Sequence, residues 1–215
     1  MKYNQVKSVL IVANGQLPKK SILNNLVMIS DCIIAADGGS NHCYKREIYP
    51  HFIVGDLDSV QVKVLSYFKD AEIIRLPDQN SHDLDKAIGF AKTFRPEIIR
   101  VVAAFGKRAD HSLANLILLQ SQFADVSLEF YDDYGKLSLI TGKTILNMPQ
   151  GKTVSLFSFL PVYGLSLAGF KYPIKNEDFP NGFNGLSNVI SNPRAQIMIR
   201  EGFLFIYTTH ENTST

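Results

Sequence analysis

The 215-residue chain contains no tryptophan and only two cysteines, Cys32 and Cys43. Without tryptophan, any ring stacking in a ligand site falls to phenylalanine or tyrosine. Two cysteines supply neither a disulfide framework nor the four ligands of a structural zinc. Cys32 opens an apolar run and reads as a small core residue. No apolar run approaches the roughly 20 residues that cross a bilayer, and Met1–Gln5 lacks the features of a secretory signal. A cytoplasmic protein with no membrane partner is therefore expected. The net charge is only +2, whereas a dedicated nucleic-acid binder needs a concentrated basic face, so nucleic acid is not expected as a partner. Both familiar glycine-rich phosphate loops are missing, the P-loop and the Gly-x-Gly-x-x-Gly fingerprint, so any phosphate site is built another way.

What is present falls into two parts. The first alternates short apolar runs with helical periodicity. Ser8–Ala13, Cys32–Ala36, Phe52–Val54, Glu72–Leu76 and Ile98–Ala103 read as strands, each followed by a turn-forming residue. Ser59 is placed to cap a helix over Val60–Lys69. Leu84, Ala87, Ile88, Ala91 and Phe94 recur at helical spacing, as do Leu113, Leu116, Ile117 and Gln120. Such alternation predicts an α/β domain with a mainly parallel sheet. From Val126 the runs turn strand-like throughout: Leu128–Tyr131, Leu137–Ile140, Thr144–Leu146, Thr153–Phe159, Phe170–Ile174, Ala195–Arg200 and Phe203–Tyr207. Glycines separate them, which predicts an all-β, sandwich-like domain. The expected division is residues 1–123 and 124–215.

Eight of the 13 aspartates lie between Asp31 and Asp85, and several sit at the carboxyl ends of strands, where open α/β sheets bind ligands. Asp37 follows Ile33–Ala36 and leads into Gly38 and Gly39, which let a ligand approach the backbone. Asp56 and Asp58 follow Phe52–Gly55; in an extended stretch both project to one side, toward a shared cation. Asp83 starts a helix after the strand ending at Leu76. Carboxylates gathered in one cleft repel each other unless a hard cation such as Mg2+ joins them to substrate phosphates. Any one of these aspartates is equally well a turn residue or a helix-dipole partner; the pattern across consecutive strand ends points to a site. After the fifth strand, Gly106-Lys107-Arg108-Ala109-Asp110-His111 offers a sharp turn, a guanidinium able to grip phosphate and a helix N-terminus. Asp110 is a candidate cap and His111 a candidate orienting group.

Ala36-Asp37-Gly38-Gly39-Ser40-Asn41, Pro50 to Gly55-Asp56-Leu57-Asp58-Ser59, Asp78-Gln79-Asn80-Ser81-His82-Asp83-Leu84-Asp85-Lys86-Ala87, Gly106–His111 and Gly185-Leu186-Ser187-Asn188 occur in that order. Together they resemble the motif series of thiamine pyrophosphokinases, from about Val9 to Tyr207. The resemblance implies an N-terminal α/β domain binding ATP and metal, and a C-terminal β-sandwich binding thiamine. It also implies a homodimer with thiamine between subunits. It places Mg2+ on Asp56, Asp58 and Asp83, phosphate chemistry at Asp37, cleft-lining roles at Gln79 and Arg108, and thiamine contacts at Ser187 and Asn188. The chain departs from the family pattern at His82, usually Thr, at Val189, often Glu, and in having no Trp for the thiamine rings.

The expected reaction moves the pyrophosphoryl group of ATP onto the hydroxyl of thiamine, releasing AMP. Arg108 and Lys107 would balance charge there, with Asp83 and Asp37 the candidates for a base. Two other readings share parts of this logic: a diphosphokinase acting on another heterocyclic alcohol, such as a hydroxymethyl pterin, and a sensor that binds thiamine or nucleotide without catalysis.

Overall fold

The computed structural model describes residues 6–77, 81–122 and 126–210. The chain forms two compact units, Met1–Asp133 and Tyr134–Thr215.

In the first unit the strands β1 (Ser8–Val12), β2 (Cys32–Ala36), β3 (Phe52–Gly55), β4 (Glu72–Arg75), β5 (Ile98–Val102) and β6 (Ser127–Tyr131) lie in the order β6-β5-β1-β2-β3-β4. Every pairing among them is parallel. β1 and β2 are buried at every residue, as expected of strands covered on both faces. Helices α1 (Lys20–Met28), α2 (Gly39–Arg46) and α3 (Val62–Tyr67) contribute Leu23, Leu26, Cys43 and Val64 to one core layer with Leu10, Val12, Ile33 and Ile53. Helix α4 (Asp83–Lys92) buries Leu84, Ala87, Ile88 and Ala91 of the periodic set expected from the sequence, whereas Phe94 lies beyond its end and is only partly buried. The fourteen-residue α5 (Ala109–Gln122) follows β5. β4 ends the sheet, and its exposed Glu72 and Arg75 discourage pairing with another chain.

Local chemistry explains where the sequence expectations went astray. Helix α2 has no apolar stripe: its buried residues are Gly39, Ser40 and Cys43. Gly39 starts the helix hard against β1, where an added Cβ would sit 1.9 Å from the Val12 carbonyl oxygen, so only glycine permits that approach. The helix expected over Val60–Lys69 is shorter, Val62–Tyr67, with Gln61 rather than Ser59 at its cap position. The Ser59 hydroxyl instead donates to Asp58 Oδ1 at 2.9 Å.

Among the described residues the second unit has eight antiparallel strands. One group runs β12 (Phe183–Val189), β9 (Thr153–Ser158), β14 (Leu204–Thr209), β7 (Gly135–Ile140), and the other β11 (Ile174–Phe179), β10 (Val162–Ala168), β13 (Arg194–Met198), β8 (Lys143–Asn147). Leu156, Leu165, Ile197 and Leu204 from both groups share one core, the sandwich expected from alternation of apolar and polar residues. The run Phe170–Ile174 is not a strand: Phe170 makes a single bridge to Ile190, and β11 starts only at Ile174.

Asp31 joins β1 to β2. Its Oδ2 accepts from the Lys7 amide at 3.0 Å, the Ser8 amide at 2.9 Å and the Ser8 hydroxyl at 2.9 Å. The Ser8 bonds hold its carboxyl below the usual range. A carboxylate whose folded pKa is depressed stabilises fully above its unfolded value and loses that contribution as pH falls through the folded one. Asp31→Ala should therefore lower the melting temperature at neutral pH, and the gap from the native chain should close below about pH 4. Thermal melts of both proteins across that range check it.

Candidate active site

The strand order reverses at β1, which pairs with β2 on one side and β5 on the other. Chain segments leaving neighbouring strands on opposite sides open a crevice at the carboxyl ends. A cleft of about 550 Å³ lies there, lined by Asn14 and Gly15 after β1, Ala36 after β2, Asp56 and Asp58 after β3, His82, Asp83 and Lys86 at the start of α4, and Ala104, Lys107, Arg108 and His111 after β5. Two crossed loops make its floor. The Gly15 amide donates to the Ala103 carbonyl at 2.6 Å and the Gln16 amide to that of Phe105 at 2.7 Å.

Asp37, Asp56 and Asp58 each bring a carboxylate oxygen to a common point, all three within 4.8 Å of one another. Asp37 is 1% exposed, and neither of its carboxylate oxygens has a hydrogen-bond partner among the described residues. Its backbone is left-handed, φ 42°. Gly55 makes room for it, since a Cβ there would lie 2.8 Å from that of Asp37. Burial pushes the Asp37 carboxyl up; the nearby Ser59 hydroxyl and Gly38 amide ease the charge, and the carboxylates of Asp58 and Asp56 oppose it. An orphaned buried carboxylate facing two others is costly unless a cation completes it.

Asp56 and Asp58 meet by a different route from the extended alternation expected of them. Leu57 between them is left-handed, φ 73°, and the Asp58 amide donates to Asp56 Oδ1 at 3.2 Å. The turn folds both carboxylates to one side. The Asp58 amide and then Lys86 hold Asp56 below the usual range, whereas burial, followed by the charges of Asp37 and Asp56, pushes Asp83 up. Asp83 is not in the three-carboxylate cluster; it shares Lys86 with Asp56. The Lys86 ammonium lies 3.4 Å from Asp56 Oδ2 and 3.6 Å from Asp83 Oδ1, on a side chain only 4% exposed.

The basic segment is arranged differently from expectation. Arg108 lines the cleft but forks onto Asp110, from Nε to Oδ1 at 3.0 Å and from Nη2 to Oδ2. That pairing holds Asp110 down to about 2. Asp110 sits within the first turn of α5 rather than at its cap, and it does not line the cleft. Lys107 donates to the Asn14 carbonyl at 2.5 Å, bracing the floor. Gly38 and Gly39 shape the backbone behind Asp37 without lining the cleft. Gln79 lies outside the described residues. In the second unit, Ser187 is exposed with a left-handed backbone, φ 56°. Asn188 points inward: its Oδ1 accepts from the Tyr172 and Val189 amides, and its Nδ2 donates to the Tyr172 carbonyl. Its amide group is spent on holding Tyr172, itself 60% exposed, beside the Ser187 turn.

Three cleft residues were given no role by the sequence reading, although Lys86 stands within one of its motifs. Lys86 carries an i+3 spacing from Asp83, an ordinary helical ion-pair signal. Asn14 was visible only as half of a turn dipeptide. Asn115, whose Nδ2 donates to the Ala104 carbonyl at 2.5 Å, looks like any polar helix residue.

The buried charge of Asp37 yields a test of stability against function. Its folded pKa is raised, so ionisation at neutral pH opposes folding of the metal-free protein. Asp37→Asn removes that charge and should raise the metal-free melting temperature at pH 7 while weakening Mn2+ binding at least about tenfold, the loss of one charged ligand. Calorimetric melts and a Mn2+ titration check both halves. A lower melting temperature would show that the carboxylate is a structural necessity.

The family model for the thiamin pyrophosphokinase catalytic domain matches residues 23–130, and that for the thiamin pyrophosphokinase vitamin B1 binding domain matches residues 143–204. Thiamine pyrophosphokinase of Bacillus subtilis (strain 168) is 26% identical over 214 residues, covering 94% of this chain and 98% of the relative. Thiamin pyrophosphokinase 1 of Caenorhabditis elegans is 29% identical over 160 residues, covering 66% of this chain and 64% of the relative. In fold, the crystal structure of the Bacillus subtilis thiamine pyrophosphokinase superposes with a TM-score of 0.80 at 24% identity, over 96% of this chain and 100% of that one. Thiamin pyrophosphokinase from Candida albicans gives 0.81 at 21%, over 98% and 91%. With its α/β part and its β-sandwich matched in turn, the chain belongs to the thiamin pyrophosphokinase family.

Proposed function

We propose that the chain is a thiamine pyrophosphokinase that transfers the terminal two phosphates of ATP to the hydroxyl of thiamine. The observation that carries this reading is the acidic cluster at the reversal point of the sheet, in a chain whose two parts match the catalytic and vitamin B1 binding domains of one family. The donor set suits a hard divalent cation: three carboxylates within reach of one point, one of them buried and unpartnered. Asp56 and Asp58 would hold Mg2+ together with Asp37, which the geometry adds to the pair. Asp83, the third metal position in the resemblance, shares the same wall. Bound there, the ion neutralises phosphate charge and polarises the phosphorus under attack.

The chain's own residues position the reactants. The hydroxyl oxygen of thiamine forms a bond to the β-phosphorus of ATP, and the bond from that phosphorus to the oxygen bridging the α-phosphate breaks. AMP leaves with that oxygen, and the hydroxyl proton passes to Asp83 or Asp37. Such transfers ask mainly for alignment and charge balance. Arg108, exposed at the cleft mouth, supplies the forked donor for phosphate oxygens once it releases Asp110. Ser187 and the exposed Tyr172 beside it offer the second unit's surface for the heterocycle, a tyrosine standing in for the absent tryptophan. We further propose that the working form is a homodimer, for which sedimentation should return twice the 24.0 kDa chain mass. Among the described residues no helix is long and apolar enough to cross a membrane.

Products decide the reaction. Incubated with ATP, Mg2+ and thiamine, the protein should yield AMP and thiamine diphosphate in equal amounts. ADP with thiamine monophosphate would replace pyrophosphoryl transfer by simple phosphoryl transfer. Asp58→Asn keeps shape and removes one charge; it should fold normally and lose at least about a hundredfold in kcat, a typical cost of deleting one electrostatic contact to the transition state. Near-native turnover would return Asp58 to the status of a turn residue.

A further inference from the structure

We propose that Lys86 is a further catalytic residue of this transfer, a fixed cation that shares Asp56 and Asp83 with the metal site and gives its remaining N–H to the phosphates of the nucleotide. The proposal rests on the pyrophosphoryl-transfer reading above.

Placement comes first. Lys86 sits one turn into α4, three residues after Asp83, and it is the one buried cation among the described residues. Burying an ammonium costs several kcal/mol unless it is paired. Ordinary lysines avoid this by extending into water, yet the Lys86 side chain stays 4% exposed while lining the cleft. Its distances to the two carboxylates, 3.4 and 3.6 Å, exceed the roughly 2.7–2.9 Å of a tight charge-assisted bond. Neither carboxylate saturates it. An ammonium has three donors, and two loose partners leave one for a ligand in the cleft.

Charge explains why a ligand is needed. Ionised, the wall of Asp37, Asp56, Asp58 and Asp83 carries four negative charges against the single positive charge of Lys86. A divalent cation on the Asp37–Asp56–Asp58 cluster still leaves the wall negative, facing a polyphosphate. The other two cations of the cleft are engaged elsewhere: Lys107 braces the Asn14 carbonyl and Arg108 is forked onto Asp110. Lys86 alone stands on the acidic wall, paired to the cluster through Asp56. Sharing Asp56 with the cluster, it would supply the second positive charge that two-metal transfer sites draw from a second ion. Its position is set by the helix.

The test compares Lys86→Met, Lys86→Arg and the native chain. Lys86→Met should lose about a hundredfold in kcat. With Mg2+ present, its preference for ATP over AMP in direct binding should fall about tenfold, the worth of one charged hydrogen bond to the phosphates that AMP lacks. Lys86→Arg should recover part of both. A lysine that only neutralises the wall would change melting temperature and leave the ATP-to-AMP ratio at its native value, which would overturn the proposal. A readout on the native chain stands whether or not the methionine variant folds: with lysine Nζ labelled by 15N, the Lys86 signal should move when ATP is added to Mg2+-loaded protein and stay in place for AMP. A signal indifferent to ATP overturns the proposal. Native protein that makes no thiamine diphosphate would instead refute the reaction on which the proposal rests, a result the same preparations distinguish.

Discussion

Like charges brought together at the carboxyl end of the sheet, one buried and the others partly or fully open to solvent, are the constraint around which the first unit is arranged. Asp37, Asp56, Asp58 and Asp83 come from the ends of three successive strands, and a carboxylate buried without a partner opposes folding. Several features hold the arrangement against that repulsion. Fully buried β1 and β2 anchor the strand ends from which the cleft opens. Gly39 brings α2 onto the Val12 carbonyl and Gly55 leaves space for Asp37. The Asp58 amide and Lys86 draw off part of the charge on Asp56. What remains uncompensated, chiefly at Asp37, is the part a divalent cation would satisfy. Stability given up at that point and recovered on binding is the expected signature of a metal-dependent site.

The basic residues of the cleft divide into one that braces the backbone and one paired in the open. Lys107, from a left-handed turn with φ 61°, ties the loop after β5 to the loop after β1. On the far side of the same loop, His42 contacts the Gly15 carbonyl at 2.9 Å, and burial pushes its ring below the usual imidazole range. Two successive carbonyls are thus secured, fixing the cleft floor before any ligand arrives. Arg108 is paired in the open with Asp110. An exposed ion pair is worth little, so exchanging Asp110 for a phosphate costs little.

The two-part architecture was legible because both periodicities are strong: apolar runs alternate with helical repeats up to α5, and short alternating strands follow. The acidic cluster was legible because aspartates stood after strand after strand. Elements with no apolar stripe were not legible. Helix α2 buries glycine, serine and cysteine and is set by backbone approach, which hydropathy does not report. The boundary was similarly obscured. Residues 124–133, assigned from their strand-like character to the second part, include β6, which pairs in parallel with β5 and falls in the first compact unit. A lone β-rich run does not announce which sheet it will join. Asn188 illustrates a further limit, since the sequence names the residue while only the fold shows its amide turned inward onto Tyr172.

Anomalous diffraction from crystals grown with Mn2+ and a non-hydrolysable ATP analogue tests the central claim most directly. The account predicts a manganese peak within ligand distance of Asp37, Asp56 and Asp58, with the polyphosphate of the analogue in the same cleft. A cleft holding the analogue with no metal on those carboxylates, or a metal bound elsewhere on the chain, would contradict it.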